Sequence, residues 1–182
     1  MVFAFVFALA RTTSAEDAAV PIALQAELLT KVAGYDRNFA ARARDVARIV
    51  LLTKPNDADS VRATAQMRVA LAAVDRIGGL PHEEITVTYS SGAALAAMVR
   101  DQHISIVYVT PGLSGDIDAI KTALDGVDVL SVTAIASDVP RGIVLGFDLV
   151  SGRPKLLVNL SQMRRQNIAF AANVLKLAKV TE

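Results

Sequence analysis

The feature that most constrains this chain is a repeated switch between two hydrophobic periods. Two short runs, Ile49 to Leu52 and "ISIVYVT" from Ile104 to Thr110, are almost continuously apolar. Such runs read as strands buried on both faces, the situation of a parallel sheet covered by helices. The segments between them follow the helical period instead. "PIALQAELLTKVAGY" puts Leu24, Leu28, Val32 and Tyr35 on one stripe, with Pro21 suited to a helix start and Gly34 to its end. "DVARIVLLT" is then a strand. "DADSVRATAQMRVALAAVDRIGG" is a long helix with Met67, Leu71, Val74 and Ile77 inward, Asp57, Asp59 or Ser60 as cap, and Gly78-Gly79 as stop. "EITVTYS", "SGAALAAMVRDQ", "GDIDAIKTAL" and "DVLSVTAI" continue as strand, helix, helix and strand around "ISIVYVT". Three successive strand–helix–strand crossovers predict an α/β fold: a mostly parallel central sheet flanked by helices on both faces.

The pattern then changes. "GIVLGFDLV" and "RPKLLVNL" flank Ser151-Gly152, so they pair as an antiparallel hairpin. Pro154 cannot donate to a strand ladder, which puts its end near a sheet edge. "SQMRRQN" is a short helix capped by Asn159 or Ser161, and Arg164 and Arg165 read as a solvated face. "FAANVLKLAK" is a closing helix with Phe170, Val174, Leu177 and Ala178 on one stripe. This end of the chain carries more apolar residues than one buried stripe requires, Leu175 falling beside the main face. Phe170, Val174 and Leu175 are therefore the expected interface of a homodimer, the commonest closed assembly, a helix sunk deep in its own core being the alternative.

Composition narrows the function classes. The chain has 182 residues, enough for one domain, with 53% hydrophobic and 20% charged residues to fill a core. A formal net charge of +1 argues against a nucleic-acid partner. Cysteine is absent, which excludes disulfides, thiol nucleophiles and zinc thiolate sites. "VFAFVFALA" from Val2 to Ala10 is too short to span a bilayer and is followed by small residues at Thr13 and Ala15. Residues 1–15 are thus expected to be a signal peptide, residues 16–182 a single exported α/β domain, and the mature protein periplasmic.

No set of residues suggests catalysis. Neither Gly-x-Gly-x-x-Gly, a phosphate-loop Gly-Lys-Ser/Thr nor Gly-x-Ser-x-Gly occurs. His82 and His103 fall in different elements, so neither a metal nor another cofactor is expected. The carboxyl ends of the predicted strands offer a rim instead, because ligands of open parallel sheets sit there. Ser90, Ser91, Thr110, Gly112 and Ser114 follow two of these strands and are the candidate small-ligand residues. Ser91 and Ser114 serve equally well as helix caps.

The last forty residues carry a resemblance. Leu157-Val158-Asn159-Leu160, then Arg164-Arg165, then Leu175-Lys176-Leu177-Ala178-Lys179-Val180 resemble the closing block of the YfiR-like family of exported bacterial proteins. The upstream order of helix, strand, long helix and central "ISIVYV" strand also fits that family. Its usual Trp-Pro near the first helix is replaced by "GYDRNF", and the cysteines of better-known members are absent. The resemblance implies a periplasmic signalling regulator, not an enzyme. Such a protein acts through protein–protein contact, restraining an inner-membrane signalling protein such as a diguanylate cyclase or sensor kinase in cyclic-di-GMP signalling. It also implies self-association. A small periplasmic solute-binding protein is the alternative.

Overall fold

The computed structural model describes residues 20–182. The expected signal peptide, residues 1–15, lies outside the described residues. Helices α1 (Ile22–Ala33) and α2 (Phe39–Ala43) precede strand β1 (Ala47–Thr53). Then α3 (Ala58–Leu71), β2 (His82–Thr88), α4 (Gly92–Asp101), β3 (Ile106–Val109), α5 (Ile117–Leu124) and β4 (Leu130–Thr133) alternate. The chain closes with β5 (Leu145–Val150), β6 (Arg153–Asn159), α6 (Leu160–Arg165), α7 (Ala172–Leu177) and β7 (Lys179–Thr181). Short 3-10 turns at Ser114–Asp116 and Ala136–Asp138 follow β3 and β4.

The strands form one seven-stranded sheet in the order β2-β1-β3-β4-β5-β6-β7. All neighbours are parallel except β5 and β6. The expected α/β class is the observed one. The unbroken apolar runs follow from burial on two sides. Ile49, Leu51, Ile106 and Tyr108 face the layer holding α1 and α3, while Val50, Leu52, Val107 and Val109 face α4 and α5. The hairpin turns at Ser151 (φ 51°) and Gly152 (φ 72°). Positive φ at both central residues is the two-residue geometry whose twist matches the flanking strands. Pro154 sits opposite Leu149, where β7 does not reach, since β7 pairs only with Leu157–Asn159.

Three local expectations are corrected. The long helix α3 stops at Leu71, short of Gly78. Its end tightens through i→i+3 bonds at Ala73 and Val74, and the chain turns back so that Ile77 is fully buried. Gly78 (φ 58°) lies so close to the Phe39 ring that a Cβ would approach it to 2.4 Å. The closing helix is only Ala172–Leu177, and Lys179–Thr181 instead adds a parallel strand to β6. The open backbone of β6 offers hydrogen bonds that outweigh a continued helix. Along α1 the buried positions are Gln25, Ala26, Leu29, Val32 and Ala33, while Tyr35 is 49% exposed. Gln25 is buried because its Oε1 accepts from the hydroxyl of the enclosed Tyr108 at 2.7 Å. Burial pushes the Tyr108 phenol well above its ordinary pKa, so it remains a donor.

One buried ion pair fastens the ends of the chain together. Arg42 on α2 donates through Nη1 to Asp36 Oδ2 at 2.8 Å and through Nε to Asp128 Oδ1 at 2.7 Å. The side chains of Arg42 and Asp36 are 2% and 0% exposed. Asp36 Oδ1 in turn accepts from the backbone N–H groups of Asn38 and Ala169, and Arg42 Nη2 reaches the carbonyl of Asn167. Removing one partner of such a pair leaves an uncompensated buried charge. Arg42→Ala is therefore expected to lower unfolding free energy by about 3–5 kcal/mol. Urea unfolding followed by circular dichroism measures the loss.

Candidate functional site

After β1 the chain turns to β2 on one side, and after β3 it turns to β4 on the other. The crevice between the carboxyl ends of β1 and β3 is thus the switch point at which open sheets bind ligands. In this protein its own side chains fill it. Thr110, 1% exposed, donates from Oγ1 to the Leu52 carbonyl at 2.7 Å. The Ser60 hydroxyl, also buried, lies 2.5 Å from Thr110 Oγ1 and accepts from the Lys54 backbone N–H at 2.8 Å. Asp57 caps α3 by accepting from Ser60 N at 2.8 Å. Gly112 (φ 88°) packs on that carboxylate, where a Cβ would come within 2.6 Å of Oδ2. At the mouth, Lys54 Nζ pairs with Asp116 Oδ2 at 2.6 Å.

The five candidate ligand residues do not form one site. Thr110, Gly112 and Ser114 follow β3, whereas Ser90 and Ser91 lie beyond β2, with β1 between them. Ser91 caps α4 by accepting from Ala94 N at 3.2 Å, and Ser90 is exposed. Both border a small cleft of about 130 Å³ with Tyr89, Leu95 and Met98. Ser114 opens the 3-10 turn and donates from Oγ to Asp138 Oδ2 at 3.0 Å. Phe170 and Val174 are each 5% exposed and belong to this chain's own core; Leu175 packs partly against it.

Asp138, in the turn after β4, is a buried acid that the sequence does not mark. Its side chain is 2% exposed. Oδ2 accepts from Ser114 and, at 3.3 Å, from Thr133, but Oδ1 has no hydrogen-bond donor among the described residues. The nearest cation, Arg141 Nη1, is 3.6 Å from Oδ1, an ion-pair distance too long for a hydrogen bond. Burial raises the Asp138 carboxyl above its ordinary 3.8, the two hydroxyl donors and Arg141 opposing that shift. The only signal in the sequence is an acid and an arginine three residues apart in "SDVPRG". That spacing does not reveal burial.

A larger cleft of about 440 Å³ opens on the other side of this turn. Val139, Phe147, Leu149 and Leu157 give it an apolar wall, and Asp148 and Lys179 supply charge.

The model of the YfiR/HmsC-like family matches residues 23–179. The chain belongs to this family. YfiR/HmsC-like membership supports the coarse reading of a periplasmic regulatory protein. No curated protein matches the sequence. Solved structures with the same fold include a conserved domain protein from Vibrio cholerae O1 biovar El Tor strain N16961 (TM-score 0.63, 14% identity, 89% of this chain and 60% of that one). An ABC domain in complex with L-Trp from Streptococcus pneumoniae matches at TM-score 0.55 and 12% identity, over 82% of this chain and 61% of its own. A ligand-free, open substrate-binding protein with adhesive properties from Clostridium difficile matches at 0.59 and 9%, over 80% and 57%. The chain spans about 60% of the length of the first of these structures. At such identities they share a fold with this YfiR/HmsC-like protein and nothing more specific.

Because Asp138 holds its proton more tightly folded than unfolded, the folded state binds more protons between pH 3.8 and the raised value. Its ionisation therefore removes stability as pH rises through that window. Asp138→Asn, which has no charge to bury, is expected to gain stability relative to the wild type as pH goes from 3.8 to 7. Parallel urea titrations across that range measure the difference, and a constant gap would contradict it.

Proposed function

We propose that this protein is a periplasmic regulator that restrains an inner-membrane signalling protein, a diguanylate cyclase or a sensor kinase, by binding its periplasmic part. The observation that carries this reading is the family match across residues 23–179. The filled switch-point crevice supports it, since Thr110, Ser60 and Asp57 bond to one another where a small ligand of this fold would sit. Among the described residues no helix is long and apolar enough to cross a membrane, which suits a partner reached from outside the bilayer. Deleting the gene is expected to raise cellular cyclic-di-GMP. Restoration by the exported chain, but not by residues 16–182 kept in the cytoplasm, would locate the action. An unchanged cyclic-di-GMP level in the deletion strain contradicts cyclase restraint.

A second reading, a small solute-binding protein, draws on the substrate-binding neighbour and on the cleft of about 440 Å³ beside Phe147. Its size lies in the range of small-molecule pockets. Loss of uptake of one solute, with cyclic-di-GMP constant, would favour this reading over restraint.

Self-association is part of the same proposal. Phe170 and Val174 are enclosed, so the surface available for a homodimer is the neighbouring Leu177, 68% exposed, and Val180, 40% exposed, beside the partly buried Leu175. Leu177→Glu is expected to shift a dimer to a folded monomer in light scattering, with melting temperature nearly unchanged. A monomeric wild type at high micromolar concentration contradicts the dimer.

A further inference from the structure

At the opposite end of the sheet from the switch-point crevice, a cleft of about 260 Å³ opens between the C-terminal ends of α2 and α4. Its floor is apolar, made of Val99, Ile104 and Val127. Its walls carry Arg44, Arg100 and His103, all exposed. Arg42 and Asp128 also border it, but they are engaged with each other at 2.7 Å. Arg44, Arg100 and His103 have no such partner among the described residues. In a chain of net charge +1, this grouping is not a sample of a generally basic surface.

The backbone adds a second, independent observation. Arg44 ends α2 at φ 59°, ψ −115°, a conformation that favours glycine. His103 ends α4 at φ 53°, and the bonds His103 N to Arg100 O and Ile104 N to Val99 O form the helix-ending motif whose left-handed position is usually glycine. An arginine and a histidine thus stand where chain geometry favours glycine, and both line the same cleft. Strain of this sort persists at sites that use the side chain.

We propose that this cleft binds a small oxyanion, a carboxylate or a phosphate, carried on a short apolar body. The arginines match either oxyanion through charge-assisted hydrogen bonds, and the floor accepts the apolar part. The volume lies below that of sites for drug-sized ligands, which restricts the body to about one ring.

Titration calorimetry of the purified chain with phenyl phosphate and phenylacetate tests the site. At least one is expected to bind saturably at one site per chain, and whichever binds more tightly identifies the oxyanion. Arg100→Ala should weaken binding about tenfold, the loss of roughly one charge-assisted bond. Arg44→Gly and His103→Gly should weaken it similarly while raising the melting temperature. Arg153→Ala, on the exposed hairpin, should change neither. The proposal is overturned if neither probe binds, if the glycine variants bind as the wild type does, or if they melt lower. It is also overturned if Arg153→Ala costs as much affinity as Arg100→Ala.

Discussion

The Asp36–Arg42 ion pair holds together segments that the sheet alone leaves independent. Two charges withdrawn from water are costly unless every polar position around them is filled. That requirement fixes where the neighbouring backbone must run. Asp36 bonds to Ala169 and Arg42 to Asn167, so the turn between α6 and α7 is pinned to the turn between α1 and α2. Arg42 also reaches Asp128 in the loop before β4. The isolated bridge between Asp36 and Phe170 then brings the Phe170 ring into the core. The basic, amide-rich "SQMRRQN" stretch is thereby a corner of the fold, with Gln166 buried and donated to by the Ser131 backbone N–H.

The two ends of the sheet differ in which polar groups they leave without a partner. At the carboxyl ends of β1 and β3 the hydroxyls of Ser60 and Thr110 and the Asp57 carboxylate are paired within the chain. Asp138 is the exception, since one oxygen lacks a donor and its charge is disfavoured by burial. At the amino ends, Arg44, Arg100 and His103 stay exposed around an apolar floor. The fold is shared with a substrate-binding protein at 9% identity, but in this chain its own side chains occupy the switch-point crevice. Fold likeness is therefore a poor guide to where this chain makes its contacts, and the site must be read from the side chains.

The α/β class, the parallel crossovers and the Ser151-Gly152 hairpin were legible in the sequence. Each rests on local periodicity or on a turn residue, and such signals act over a few positions. The Ser91 cap was legible for the same reason, and Asp57 and Asn159 stood among the alternatives the sequence offered. The rim serines and Thr110 were recognised as following strands, but their partners were not, because Thr110 meets Ser60 across 50 residues of chain. Only tertiary structure decided that Lys179–Thr181 pairs with β6 instead of extending a helix, since the deciding hydrogen bonds belong to another strand. It alone decided that Arg42 is enclosed while Arg44, two residues on, lines an open cleft. A charged side chain looks the same in sequence either way. Whether it meets water or a buried carboxylate depends on what the rest of the chain packs beside it.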